Sequence, residues 1–199
     1  MPFLPRLLLI FRPVAKGVFC LALVILLSPR LAAANAMQEE VPLTPEKVNH
    51  VYKEMLFHAQ TRSIDAVARL LPVITPMTQY FKEEYGVDSA DEIQRAIPQG
   101  YEAIVRAIQR LIYIDMGHHY KNSLNEIDAS RETAREHLIS AFRDYLLLSP
   151  TVQVDHFLID QKIKNRFRRA VTATTDSNRL ALLIEEMRRL LLEALPELK

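Results

Sequence analysis

The sequence predicts an all-α protein, an antiparallel up-down bundle of about five to six helices that begins after a cleaved signal peptide. Three observations carry this. Apolar residues recur every three to four positions over most of the chain. No stretch alternates with the period of two that a half-buried strand requires, and no Asn-Gly or Asp-Gly hairpin turn occurs. Glycine is nearly absent: beyond the first segment only Gly86, Gly100 and Gly117 remain.

Residues 1–36 read as an export signal. Arg6, Arg12 and Lys16 precede an uncharged apolar run from Gly17 to Leu27, Ser28-Pro29 breaks it, and Ala34-Asn35-Ala36 offers small residues for cleavage after Ala36. The run is short for a bilayer span. An uncleaved anchor, extended by the apolar patch Leu7 to Phe11, is the alternative, and would be the chain's membrane attachment. Either way the rest of the chain works outside the cytoplasm. Residues 37–43 form a flexible lead-in, and residues 44–199 a single helical-bundle domain.

Each helix carries its own start signal. Thr44 caps the first, with Pro45 at its first position and Glu46 behind; Val48, Val51, Tyr52, Met55 and Ala59 share its buried face. Ser63 opens the second, which runs to about Gly86 and should kink or break at Pro72 and Pro76. Ser89-Ala90-Asp91-Glu92 reads as a capping box for a third helix reaching Asn122, with Pro98 as an early irregularity. The polar stretch Asn122 to Asp128 reads as a loop. A fourth helix spans about Ser130 to Leu148 and ends at Ser149-Pro150. A fifth spans about Val152 to Thr172. Thr175-Asp176-Ser177 caps the last, Asn178 to Leu195, rich in leucine.

Charge and cysteine exclude several classes. Of the 25 Lys and Arg, Arg6, Arg12, Lys16 and Arg30 leave with the signal; the 21 that stay face 24 Asp and Glu, a formal net charge of −3. That balance disfavours nucleic acid. The one cysteine, Cys20, lies in the signal and follows Phe19, where a lipoprotein signal needs a small residue. The mature chain therefore has no disulfide and no thiolate ligand. With no Asn-x-Ser/Thr sequon after Ala36, this fits a periplasm.

Polar residues that share the phase of an apolar stripe are the ones that point to chemistry. In the third helix Ile93, Ile97, Tyr101, Ile104, Ile108 and Leu111 form a stripe whose continuation lands on Asp115, His118 and His119. A buried ionisable group needs a partner or a metal, and Asp with His at i+3 and i+4 can turn toward one ion. Capping of the last carbonyls by the two histidines is the alternative, and an early helix end at Gly117 would void the phase. In an up-down order the end of the first helix lies nearby, which makes His58 the fourth candidate ligand, with Glu54 one turn below. His50 and Glu54 themselves face solvent as an i, i+4 pair. His156 and Asp160 share the phase of Ile159, Ile163 and Phe167, but at the opposite end of the bundle. Phosphate loops, haem and zinc-protease motifs, the Glu-x-x-His of di-iron bundles and a nucleophile elbow are absent. The basic run Lys162 to Arg169 reads as a solvated face, and the scattered methionines as core filling.

The stretch Ala134 to Leu195 resembles the periplasmic helical extension of bacterial high-affinity iron permeases. The resemblance rests on Ala134, Ala141-Phe142, Tyr145, Phe157-Leu158, Ile163, Phe167-Arg168 and the leucine run Leu180 to Leu195. It departs where the family has glutamates and this chain has Gln161 and Lys164. The permease's Arg-Glu-x-x-Glu motif is absent too, since Arg131-Glu132-Thr133-Ala134 is followed by Arg135. The resemblance implies a free-standing periplasmic relative with an iron connection.

The expected function is an exported, non-enzymatic binding protein for a protein partner or small ligand. Its sharpest form handles a divalent metal such as iron, with Asp115, His118, His119 and His58 as ligands; zinc or copper would suit the same donors. The alternative is a structural or adaptor protein of the cell envelope. It would pack its last helix on a partner chain, because Leu190, Leu191 and Leu192 cannot all face one core. No nucleophile–base pair supports an enzyme.

Overall fold

The computed structural model describes residues 43–199. The expected signal peptide with Cys20, its expected cleavage site and the expected lead-in up to Pro42 lie outside the described residues. Those described form six α-helices and no strand: α1 (Pro45–Gln60), α2 (Ile64–Tyr85), α3 (Ser89–Ala96), α4 (Tyr101–Glu126), α5 (Arg131–Thr172) and α6 (Ser177–Ala194). Short 3-10 turns occupy Ile97–Gln99 and Pro196–Leu198. None of these helices is long and apolar enough to cross a membrane. The protein is an all-α bundle.

Capping side chains fix most of the helix starts. Thr44, Ser130 and Asp176 accept the N–H of Lys47, Thr133 and Arg179, each satisfying an otherwise orphaned donor. At α3 the cap lies one residue earlier than the sequence suggests: Asp88, not Ser89, accepts from Asp91 N at 3.1 Å. The Asp88 carboxylate at the N-cap takes the N–H of the third helical residue, and Ser89 is buried instead.

Two expected breaks do not occur where proline stands. The helix α2 runs through Pro72 and Pro76. The carbonyls they strand, those of Ala68 and Pro72, lie on exposed residues where water can take the missing bond. Pro150 likewise sits inside α5, and the backbone leaves helical geometry at His156 instead (φ −133°, ψ 45°). The two arms of α5 fold back on each other there. The Phe142 and Phe167 ring centroids stand 5.0 Å apart, whereas 25 residues of straight helix would separate them by about 37 Å.

Inside this hairpin Asp160, fully buried, accepts from Tyr145 Oη and Ser149 Oγ at 2.7 Å each, and from Gln153 Nε2 at 3.0 Å, with Lys164 Nζ at 2.9 Å. Burial pushes its carboxyl up, yet these donors together hold it below the ordinary value.

The turn before α4 decides the arrangement of everything around it. Gly100 takes φ 102° and ψ 175° after the 3-10 turn at Pro98, backbone that only glycine adopts without strain. The expected single helix from Ser89 to Asn122 is therefore two, α3 and α4, and α4 continues to Glu126 through the expected loop. Extra reversal inverts its direction relative to α1. Arg62, just beyond α1, lies over the Tyr101 ring at the start of α4, while Tyr52 meets Asp115 and Val48 borders the same cavity as His119.

The helix α4 is central, touching α1, α3, α5 and α6. It runs antiparallel to the first arm of α5, with Gln109 donating to Thr151 and Ser123 to the Ala134 carbonyl. On α6, Leu190 and Leu191 are buried and Leu192 packs against the same core. One core thus takes Leu190 and Leu191 fully and Leu192 only in part, and Leu198, beyond the turn at Leu195, is buried as well.

Candidate metal centre

The helix passes through Gly117 without ending, so the phase of the α4 stripe holds. Asp115 and His119 are 5% and 7% exposed, in the company of Ile108, Leu111 and Ile112. From α5, Asp144 comes to meet them at 3% exposure. Each of the three offers a ligand atom within 4.8 Å of the others. The His119 Nε2 atom stands 3.6 Å from Asp115 Oδ1 and 3.8 Å from Asp144 Oδ2. Donors about 2.1 Å from a common ion stand roughly 3–3.4 Å apart, so His119 needs to shift by only a few tenths of an ångström toward each carboxylate to share one.

The first helix holds both carboxylates in orientation. Tyr52 Oη donates to Asp115 Oδ2 at 3.0 Å and Asn49 Nδ2 to Asp144 Oδ1 at 3.0 Å. Each carboxylate thus has one oxygen fixed and the other directed toward His119. The Asp144 Oδ2 and His119 Nδ1 atoms are buried without a hydrogen-bond partner. Such atoms are rare in folded proteins and call for an explanation.

Burial dominates the electrostatics. It raises the Asp115 carboxyl to about 7, despite the Tyr52 bond acting the other way. It raises Asp144 well above the ordinary carboxylate range, with the neighbouring Asp115 charge adding to the effect. The same desolvation, reinforced by His118 and His137, depresses His119 to about 3. Without a cation, then, the centre is close to neutral below pH 7: protonated acids beside a neutral imidazole. The 3.6–3.8 Å approaches to His119 are accordingly not an ion pair. A divalent cation would reverse the preference, stabilising both carboxylates in their ionised form.

The other two expected ligands go elsewhere. His118 is half-buried and bound at both nitrogens: Asn122 Nδ2 lies 2.9 Å from Nε2 and Tyr85 Oη 2.9 Å from Nδ1. With the amide donating, Nε2 accepts and a neutral ring donates from Nδ1 to the tyrosine oxygen. The rings of Tyr80 and Phe81 press on it at centroid distances of 5.2 and 5.7 Å.

His58 lies in the last turn of α1, edge-on to Phe57. It was expected here because α1 and the third helix were read as parallel; the reversal at Gly100 brings the start of α1 to the centre and leaves His58 at the far end. His50 and Glu54 form the expected exposed pair, 3.3 Å apart. A further imidazole unforeseen in sequence, His137 on α5, stacks 5.8 Å from His119.

Asp144 is the member that reading α4 alone overlooks. Its signal was present: Ala134, Leu138, Ala141, Tyr145 and Leu148 are buried along one stripe, and Asp144 falls three positions after Ala141 and four before Leu148. Tyr52 is also in the expected apolar face of the first helix, where its hydroxyl requires a partner.

Beside the centre lies a cavity of about 450 Å³ between the starts of α1 and the second half of α2, with Asp115 and His119 on its wall. Its remaining lining is apolar or aromatic apart from His118. The chain matches no family model, no curated protein and no solved structure.

Proposed function

We propose that the protein is an exported, periplasmic binding protein that holds one divalent first-row metal ion between α1, α4 and α5, with Asp115, His119 and Asp144 as its ligands. The observation that carries this reading is the convergence of three buried donors from two helices, one of which, Asp144 Oδ2, has no hydrogen-bond partner of its own. Two carboxylates balance the charge of a divalent ion, and a mixed oxygen and nitrogen set suits iron(II), manganese(II), cobalt(II) or zinc(II) over copper(I). The resemblance of Ala134 to Leu195 to the iron-permease extension supports iron as the cargo. Tyr52 and Asn49 then act as the outer hydrogen bonds that orient ligating carboxylates. In this proposal the centre serves as a carrier or holder of the ion.

Calorimetric titration of chelator-treated protein with zinc(II), and with iron(II) under anaerobic conditions, tests the proposal. One equivalent should bind, and the Asp144→Ala, His119→Ala double variant should bind none. Absence of uptake by the unmodified protein, or full uptake by a folded double variant, overturns it.

A further inference from the structure

The metal centre has a side that the protein leaves to another molecule. Three protein donors satisfy only part of the four to six positions that a first-row divalent ion takes. Asp144 approaches from α5, whereas Asp115 and His119 stand on the wall of the adjoining cavity. That cavity, a cleft open to the surface, measures about 450 Å³, within the size range of sites that bind small organic molecules. Leu43, Val48, Met77 and Phe81 make its walls apolar, and the exposed Pro45, Pro76 and Tyr80 mark its opening to the surface. Water alone could complete an ion's coordination, but water does not call for an apolar chamber.

Charge narrows the ligand further. A divalent ion with two carboxylates is neutral, so one more negative charge is tolerated near it while a dianion would sit in this low-dielectric site uncompensated. No lysine or arginine lines the cavity to offset a second charge.

Resting on the metal reading above, we propose that the cavity binds a small apolar monocarboxylate, its head completing the ion's coordination and its body packed against Leu43, Val48, Met77 and Phe81. The protein is then a carrier of a metal–carboxylate pair, and ion and organic acid raise each other's affinity.

Cobalt(II) makes both events visible. Chelator-treated protein is loaded with one equivalent of cobalt(II), and its visible absorption is followed while acetate, benzoate or octanoate is added. Benzoate or octanoate should change the spectrum saturably at one equivalent and bind at least tenfold tighter than acetate. Pro45→Trp or Pro76→Trp, each setting an indole at the opening, should weaken benzoate at least tenfold with cobalt uptake unchanged; both prolines are exposed, so their replacement spares the core. Failure to take up cobalt overturns the metal reading and this inference with it. Cobalt uptake with no response to either larger acid overturns the inference alone, as does equal affinity for acetate and benzoate. An undiminished response in both tryptophan variants has the same force, because the acid would then reach the ion by another route.

Discussion

His119 Nε2 stands 3.8 Å from Asp144 Oδ2 across the interface of α4 and the first arm of α5, and that oxygen has no other partner. A carboxylate oxygen buried in this way is costly unless something positive or a proton reaches it. The relationship is why Asp144, absent from the α4 stripe, joins Asp115 and His119 as a proposed ligand.

Single replacements should separate ligands from bystanders. Asp144→Ala or His119→Ala should lower zinc(II) affinity by about 100-fold or more, since each removes one of three protein donors. His58→Ala should leave it unchanged, because His58 lies at the far end of α1. Competition against a chromophoric chelator measures all three, and a loss in His58→Ala equal to that in Asp144→Ala would return His58 to the ligand set.

The metal-free protein should lose stability as pH rises from 7 to 8. Asp115, ordinarily near 3.8, is raised to about 7 when folded, and Asp144 is raised as well. In that window the folded state holds protons that the unfolded chain has released, so stability is present at low pH and lost through the folded pKa. His119 acts oppositely: lowered from 6.5 to about 3, it adds stability as pH rises through that interval. His118 and His137, also lowered by burial, act with His119, so the two acids dominate only above pH 7, where imidazoles in the unfolded chain have already released their protons. Denaturant titrations at pH 7 and pH 8 measure the loss; Asp144→Asn should flatten the dependence, and metal affinity should rise over the same range as the ion displaces these protons.

Removing the Tyr52 hydroxyl tests the orienting role of α1. Tyr52 is fully buried and donates to Asp115. Tyr52→Phe should cost about 1–3 kcal/mol, the penalty of a buried acceptor left unmade, and should weaken metal binding more at pH 6 than at pH 8, because Asp115 loses a bond that favours ionisation. Urea unfolding and calorimetry at the two pH values give the answer.

Two glycines should respond in opposite directions. Gly100→Ala should cost about 1–3 kcal/mol, since its φ of 102° suits no L side chain, although nothing lies within 4 Å of an added Cβ. Gly117→Ala, in the middle of α4 with the same free space, should stabilise by about 0.5–1 kcal/mol. Thermal melts of both variants check the pair, and a neutral Gly100→Ala would mean that the reversal tolerates another path.

The helices were legible because their signals are local. Thr44, Ser130 and Asp176 cap where the sequence places caps. Asp115 and His119 are buried as the phase of Ile104, Ile108 and Leu111 requires. The proline breaks were misjudged because the cost of a lost N–H depends on whether water can reach the stranded carbonyl, which sequence does not state. His118 shares the stripe's phase, yet Tyr85 and Asn122 take both of its nitrogens.

By itself, then, the sequence determined an all-α chain and the inward direction of Asp115 and His119, since helical phase depends only on residues within a few turns. Which carboxylate completes the centre, and which end of α1 lies beside it, only the tertiary structure decided. The reason is physical: one reversal at Gly100 inverts α4 against α1, and the antiparallel packing of α4 on α5 then brings Asp144, not His58, to His119.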